Sequence, residues 1–191
     1  MKRLDLTLLT VLFLLVPLTG KQTTRLGDNV FSSEEGAINL AVQSGVAARR
    51  LESDYLMFVL FMGADKGVSA TITPQEIVMI HNETPIPMPS LKELREKYNG
   101  DARDLRTYNN LAQDPLYSSK LRFLRFANSK DFFPSRREAT VPLKAATVDS
   151  NIGFSTRAYF KNPGLQKGDA IMIFVRDRDN SEIWGSVAVE F

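Results

Sequence analysis

Tyr55 to Met62 reads YLMFVLFM, apolar at every position. This is the pattern of a strand covered on both faces, so the fold has to supply a layer on each side of it. The flanking sequence is also β in character. Ile38, Leu40 and Val42 alternate with other residues, the period-2 signature of a half-buried strand. Gly63-Ala64-Asp65-Lys66-Gly67 is turn chemistry, and Val68–Thr73 and Glu76–His81 read as a strand pair broken at Thr73-Pro74.

The chain changes character at Pro85, Pro87 and Pro89, which force an extended passage. That passage reads as a rigid connector, with a docking segment as the alternative. Ser90 with Glu93 three residues later is a capping box. It opens a helix with Leu91, Leu94 and Tyr98 on one face and Asn99-Gly100 as its stop. Asp101 can cap a second helix with Leu105, Tyr108 and Leu111 on its face, ended by Asp114-Pro115. Strand character returns at Leu121–Phe126, Thr140–Leu143 and Phe154–Phe160, with Phe132 and Phe133 expected to plug the core edge. Lys161–Gly164 is a turn, Ala170–Val175 a central strand and Asp177–Ser181 a hairpin turn. In the last strand Ile183, Val187, Val189 and Phe191 point one way.

Short strands, dense turn signals and no βαβ alternation predict a mainly β fold. The expected architecture is an antiparallel sandwich over residues 37–191, with a short two-helix insertion at 90–114. Residues 21–36 read as a polar linker. Ahead of it, Lys2 and Arg3 precede the apolar run Leu6–Leu18, which ends in Pro17, Thr19 and Gly20. That is the layout of a secretory signal peptide over residues 1–20. The run is short for a span of about twenty residues, and an uncleaved N-terminal anchor is the alternative, because Leu18 matches the cleavage pattern poorly. The expected location is the periplasm or the extracellular space of a bacterial envelope. Cysteine is absent, so no disulfide supports the fold.

The order of these elements resembles a known group. It runs from the signal segment through Tyr55–Met62, the pair around Ile72–Ile80 and the proline link into Ser90-Leu-Lys-Glu-Leu, then Phe132-Phe133-Pro134 and a closing Gly164–Asp169 hairpin. It is similar to uncharacterised exported bacterial proteins with an immunoglobulin-like β-sandwich, over roughly residues 50 to 191. The resemblance implies a fold and a compartment and carries over no catalytic residue.

Totals of 24 basic and 22 acidic residues leave the chain near neutral, and residues 1–20 account for only Lys2, Arg3 and Asp5. No global field recruits nucleic acid or an anionic membrane. His81 is the only histidine. A triad would need it beside a serine nucleophile, and no G-x-S-x-G motif exists. One histidine and no cysteine leave no zinc ligand set. Calcium needs only oxygens, and Asp177, Asp179 and Glu182 crowd one short turn, which reads equally as a self-bonded β-turn.

The most distinctive surface segment is Tyr117–Arg137. It carries Lys120, Arg122, Arg125, Lys130, Arg136 and Arg137 against one acid, Asp131, with Phe123, Phe126, Phe132 and Phe133 interleaved. Basic residues with aromatics can track an anionic polymer through ion pairs and stacking. The competing reading is a strand with its phenylalanines in the core and its arginines in water. The leading expectation is a non-enzymatic, cofactor-free binding or assembly module of the cell envelope. Its partner would be an envelope protein or an anionic glycan, not nucleic acid, with membrane contact only through an uncleaved N-terminus. A carboxylate-dependent secreted hydrolase is the alternative.

Overall fold

Strand β5 (Tyr55–Ala64) is buried along its whole length. The computed structural model describes residues 23–111, 120–126, 131–135 and 141–191. Residues 1–20, read above as a signal peptide, therefore lie outside the described residues. Before β5 come β1 (Thr24–Gly27), β2 (Val30–Ser33), β3 (Glu35–Gly36), β4 (Ile38–Gln43) and a single helical turn, α1 (Gly45–Ala48). After it come β6 (Ala70–Ile72), β7 (Ile77–His81), β8 (Thr84–Pro87), α2 (Leu91–Lys97) and α3 (Asp101–Asn109). The rest is β9 (Arg125–Phe126), β10 (Ala146–Val148), β11 (Ile152–Lys161), β12 (Ala170–Arg176) and β13 (Trp184–Glu190).

The protein is mainly β. The described strands form a six-stranded sheet β1-β2-β4-β5-β11-β9, a five-stranded sheet β3-β13-β12-β7-β8 and the pair β10-β6. Pairing is antiparallel except for β9 on β11. In the first sheet the register sets Leu56, Phe58, Leu60 and Met62 opposite Phe160, Ala158, Thr156 and Phe154. Directly opposed residues share a face, so these form one face of the sheet. Phe58 on that face meets Phe160 and also Phe191, which follows β13 of the second sheet (centroids 5.9 and 6.2 Å). In β12, Ile171, Ile173 and Val175 are buried while Met172 and Arg176 are exposed, the alternation of a strand wet on one side. The buried side chains of both larger sheets belong to one core.

The other face of β5, with Tyr55, Met57, Val59 and Phe61, is covered in part by the end of α2 and by the 120–126 segment. Tyr98 at the end of α2 meets Tyr55, and Phe126 meets Phe61 (centroids 5.4 and 5.8 Å). This cover buries the outward residues of β4 too. The half-buried strand expected at Ile38–Val42 is in fact enclosed on both sides.

Residues 24–36 are not a polar linker. They form β1, β2 and β3, which add to both sheets. Gly36, at φ +79°, turns the chain out of the five-stranded sheet, and Ala37 N–H donates to Trp184 O at 2.8 Å before β4 begins in the other. The polar residues of 23–29 hid β1, an edge strand whose Thr24 and Arg25 stay in water, and buried β2 offers only Val30 and Phe31 as an apolar signal.

Other differences are smaller. The N-cap of α3 is Gly100 rather than Asp101. Ser90 does cap α2, accepting from Glu93 N–H at 3.1 Å, while the Glu93 carboxylate pairs with Lys97. Of the strand expected at Thr140–Leu143, residues 141–143 are described and are not strand, and the next strand is Ala146–Val148. Pro85 and Pro87 sit in β8, at the edge of its sheet, where a missing N–H is tolerated. Asn82 and Glu83, both at positive φ, make the tight turn from β7 into β8.

Candidate functional site

The basic-aromatic segment is held against the first sheet by three apolar anchors. Leu121 and Leu124 reach Gly63 of β5 so closely that a Cβ there would lie 3.0 and 2.2 Å from their methyl carbons. Phe126 reaches Gly153 of β11 in the same way, with its Cζ 2.6 Å from where a Cβ would sit. Glycine at 63 and 153 is what lets the segment dock.

A strand at Leu121–Phe126 would alternate and send Phe123 inward with Leu121. Instead Lys120–Phe123 is a 3-10 turn, and only Arg125–Phe126 pairs as strand. Three residues per turn align Leu121 with Leu124, and Phe123 is left 74% exposed. The reading that put this phenylalanine in the core is corrected by that turn. The Arg122 guanidinium lies over the Phe123 ring, 4.5 Å from its centroid, and both Arg122 and Arg125 are exposed. Phe126, Phe132 and Phe133 face protein, through Phe61, Phe154 and Tyr159 respectively.

Asp131, the one acid of the segment, is bound within the fold. It accepts from Arg157 Nε and Thr156 Oγ1, each at 2.6 Å, and from the Arg157 N–H along the edge of β11. Its charge is thereby compensated by Arg157, whose side chain is largely buried. The structure brings Arg122 and Arg125 onto one exposed corner. It describes the backbone of Lys120 but not its side chain, and Lys130, Arg136 and Arg137 lie outside the described residues.

Two of the three acids of the acidic turn, Asp177 and Asp179, are engaged within the chain itself. Asp177 is buried, and its two oxygens accept from the backbone N–H groups of Thr71 (2.5 Å), Asp179 (2.9 Å) and Asn180 (2.7 Å). It ties β6 to the end of β12. Asp179 pairs with Arg178, which holds its carboxyl below the usual range. Glu182 is exposed, and among the described residues no cluster of three or more acidic or histidine side chains could hold a metal ion. His81 lies in the β7–β8 hairpin, and Glu76, an acid close to it in sequence, pairs with Arg176 instead.

The sequence reading missed a second feature. Asp104 of α3 is 1% exposed and accepts from Tyr98 Oη at 2.6 Å and from Arg50 Nη1. Ser53 Oγ donates to Tyr98 Oη at 3.3 Å. Burial pushes the Asp104 carboxyl upward, against the Tyr98 hydrogen bond and the Arg50 charge that hold it down. Burial also keeps the Tyr98 and Tyr159 phenols protonated. Beside this cluster is a shallow cleft of ≈ 270 Å³, open solvent included, between α2, the Phe133–Ser135 segment and Tyr159. Nothing in a single sequence separates Asp104 from Asp101, the other acid of the same helix.

No protein-family model, curated protein or solved structure matches this chain.

Proposed function

We propose that this chain is an exported binding or assembly module of a bacterial envelope, built on an immunoglobulin-like β-sandwich and engaging an anionic partner through the 120–137 segment. The observation that carries the reading is the corner formed by Arg122, Phe123 and Arg125. An arginine stacked on a 74% exposed phenylalanine, with a second exposed arginine beside it, is an arrangement suited to ion pairing plus apolar contact. The corner is rigidly presented, because Leu121, Leu124 and Phe126 anchor it into the sheet. Asp131, the single acid of the segment, is already paired with Arg157. Two large sheets sharing one core support the sandwich, and the basic head and apolar run of residues 1–20 support export.

The test is chromatography on heparin, a soluble polyanion immobilised as a probe, with the parent and Arg122→Ser/Arg125→Ser. The parent should be retained at low salt and released as salt rises, because exposed charges are screened over ~10 Å at 0.1 M. The double variant should elute earlier, with a melting midpoint within about 2 °C of the parent, since exposed charges contribute little to stability. Equal retention of the two proteins would remove the corner from the binding reading.

A further inference from the structure

The corner does not end at Arg125. Strand β9 pairs in parallel with the start of β11, placing Arg125 in register with Ile152, and Arg125 N–H donates to Asn151 O at 2.9 Å. Ile152 is 50% exposed. Two large apolar side chains, Phe123 and Ile152, therefore stand in water beside the two exposed arginines. The nearest acid in sequence, Asp149, has Oδ1 committed to the N–H groups of Asn151 and Ile152 (2.6 and 2.8 Å).

We propose that this corner docks onto an anionic lipid surface, with Phe123 and Ile152 entering the headgroup–acyl boundary and Arg122 and Arg125 pairing with lipid phosphates. The inference rests on the binding reading above and puts a lipid surface in place of the protein or glycan partner expected from the sequence. A glycan polyanion could use the arginines and stack on the ring, but a branched aliphatic side chain has no face for it to stack on. The acyl boundary gains from both apolar groups, and the anionic surface gains from both arginines. Arg122, already stacked on Phe123, keeps the charge at the point where the ring enters.

The magnitudes make the corner a peripheral, reversible contact. Each arginine near an anionic membrane strengthens binding about fivefold, and burying a phenylalanine ring about tenfold or more. Residues 1–20 carry their own apolar run, so the experiment must read the corner and not simple retention on lipid. Full-length parent, Phe123→Ala, Phe123→Trp and Arg122→Ser/Arg125→Ser are mixed with phosphatidylcholine vesicles, with and without phosphatidylglycerol. All four proteins share residues 1–20. Phe123 and the arginines are exposed, so these variants should fold, and unchanged far-UV circular dichroism checks that they do.

Phe123→Ala should lower the affinity for anionic vesicles about tenfold and lower heparin retention far less, since the ring is only a stacking surface there while both arginines remain. The double arginine variant should lose affinity for both. In Phe123→Trp, brominated acyl chains should quench an emission component that the parent, with only Trp184, lacks. Absence of that quenching in Phe123→Trp, or undiminished vesicle affinity in Phe123→Ala, overturns the lipid proposal. If heparin retention still depends on the arginines, the partner is a soluble polyanion and the binding reading survives. If neither probe responds to the arginines, both readings fall.

Discussion

Asp104 shows how much one side chain can decide. It sits on a short polar helix, and its carboxylate joins three pieces of chain that cover the outer face of the sheet. These are the stretch after α1 through Arg50 and Ser53, the end of α2 through Tyr98, and α3 itself. The side-chain Nε of Arg50 is buried with no hydrogen-bond partner, so that cation depends on the carboxylate. Asp104→Ala should therefore cost about 3 kcal/mol in urea unfolding, the scale of a buried ion pair that loses one member. The pH dependence has a definite sign. Desolvation raises the carboxyl in the folded protein above its ordinary value of 3.8, so the native state holds that proton more tightly than the unfolded chain. The stability this gives is complete below the ordinary value and is lost as pH rises through the folded one. Asp104→Asn has nothing to titrate. The stability difference between parent and Asp104→Asn should fall as pH rises from below 3.8. A difference that grows with pH would mean that Arg50, not burial, governs the group.

At the scale of elements, the joint between the two larger sheets depends on close backbone approach. A Cβ on Gly185 of β13 would lie 2.0 Å from Ile38 O of β4, and within the five-stranded sheet one on Gly36 of β3 would lie 2.1 Å from Trp184 O. Neither obstacle is a movable side-chain end. Gly185→Ala should destabilise by about 3 kcal/mol or more, or prevent folding, because main chain must shift on both sides of the core. Gly67→Ala is the control: it meets nothing within 4 Å, and only its φ of +85° opposes alanine. Its cost should be about 1 kcal/mol. Urea midpoints of the two variants check the contrast, and equal midpoints would mean that the sheets separate without strain at Gly185.

For the whole molecule, the decisive property is one core shared by two sheets and closed without disulfides. At this size a chain can bury about 70% of its unfolded surface unaided. The proposed export through residues 1–20 makes a separate prediction. The protein recovered from an envelope fraction should start near Lys21, and intact-mass measurement reads this directly. The described fold begins with Thr23, and Ala188 N–H donates to Thr23 Oγ1 at 3.0 Å. Cleavage near Lys21 would leave β1 and that contact in place. A recovered mass that still includes Met1 would make the segment an anchor.

The strands that the sequence determined by itself are those whose side chains alternate or are uniformly apolar: β5, β7, β11, β12 and β13. Their pattern reports burial directly, and burial is what orders a strand in a core. The Ser90 cap and the hairpin turns were legible for a similar reason, since each depends on residues adjacent in the chain. Three features were decided only by the tertiary structure. Polar β1 and the two-residue β3 became strands because neighbouring edges offered them hydrogen bonds, which side-chain pattern does not record. Phe123 became a surface residue because Leu121 and Leu124 found gaps over Gly63, on a strand far earlier in the chain. Asp104 became a buried carboxylate because Arg50 and Tyr98 arrived from other elements to compensate it. In each case the deciding partner is remote in sequence, and its effect exists only once the chain has folded.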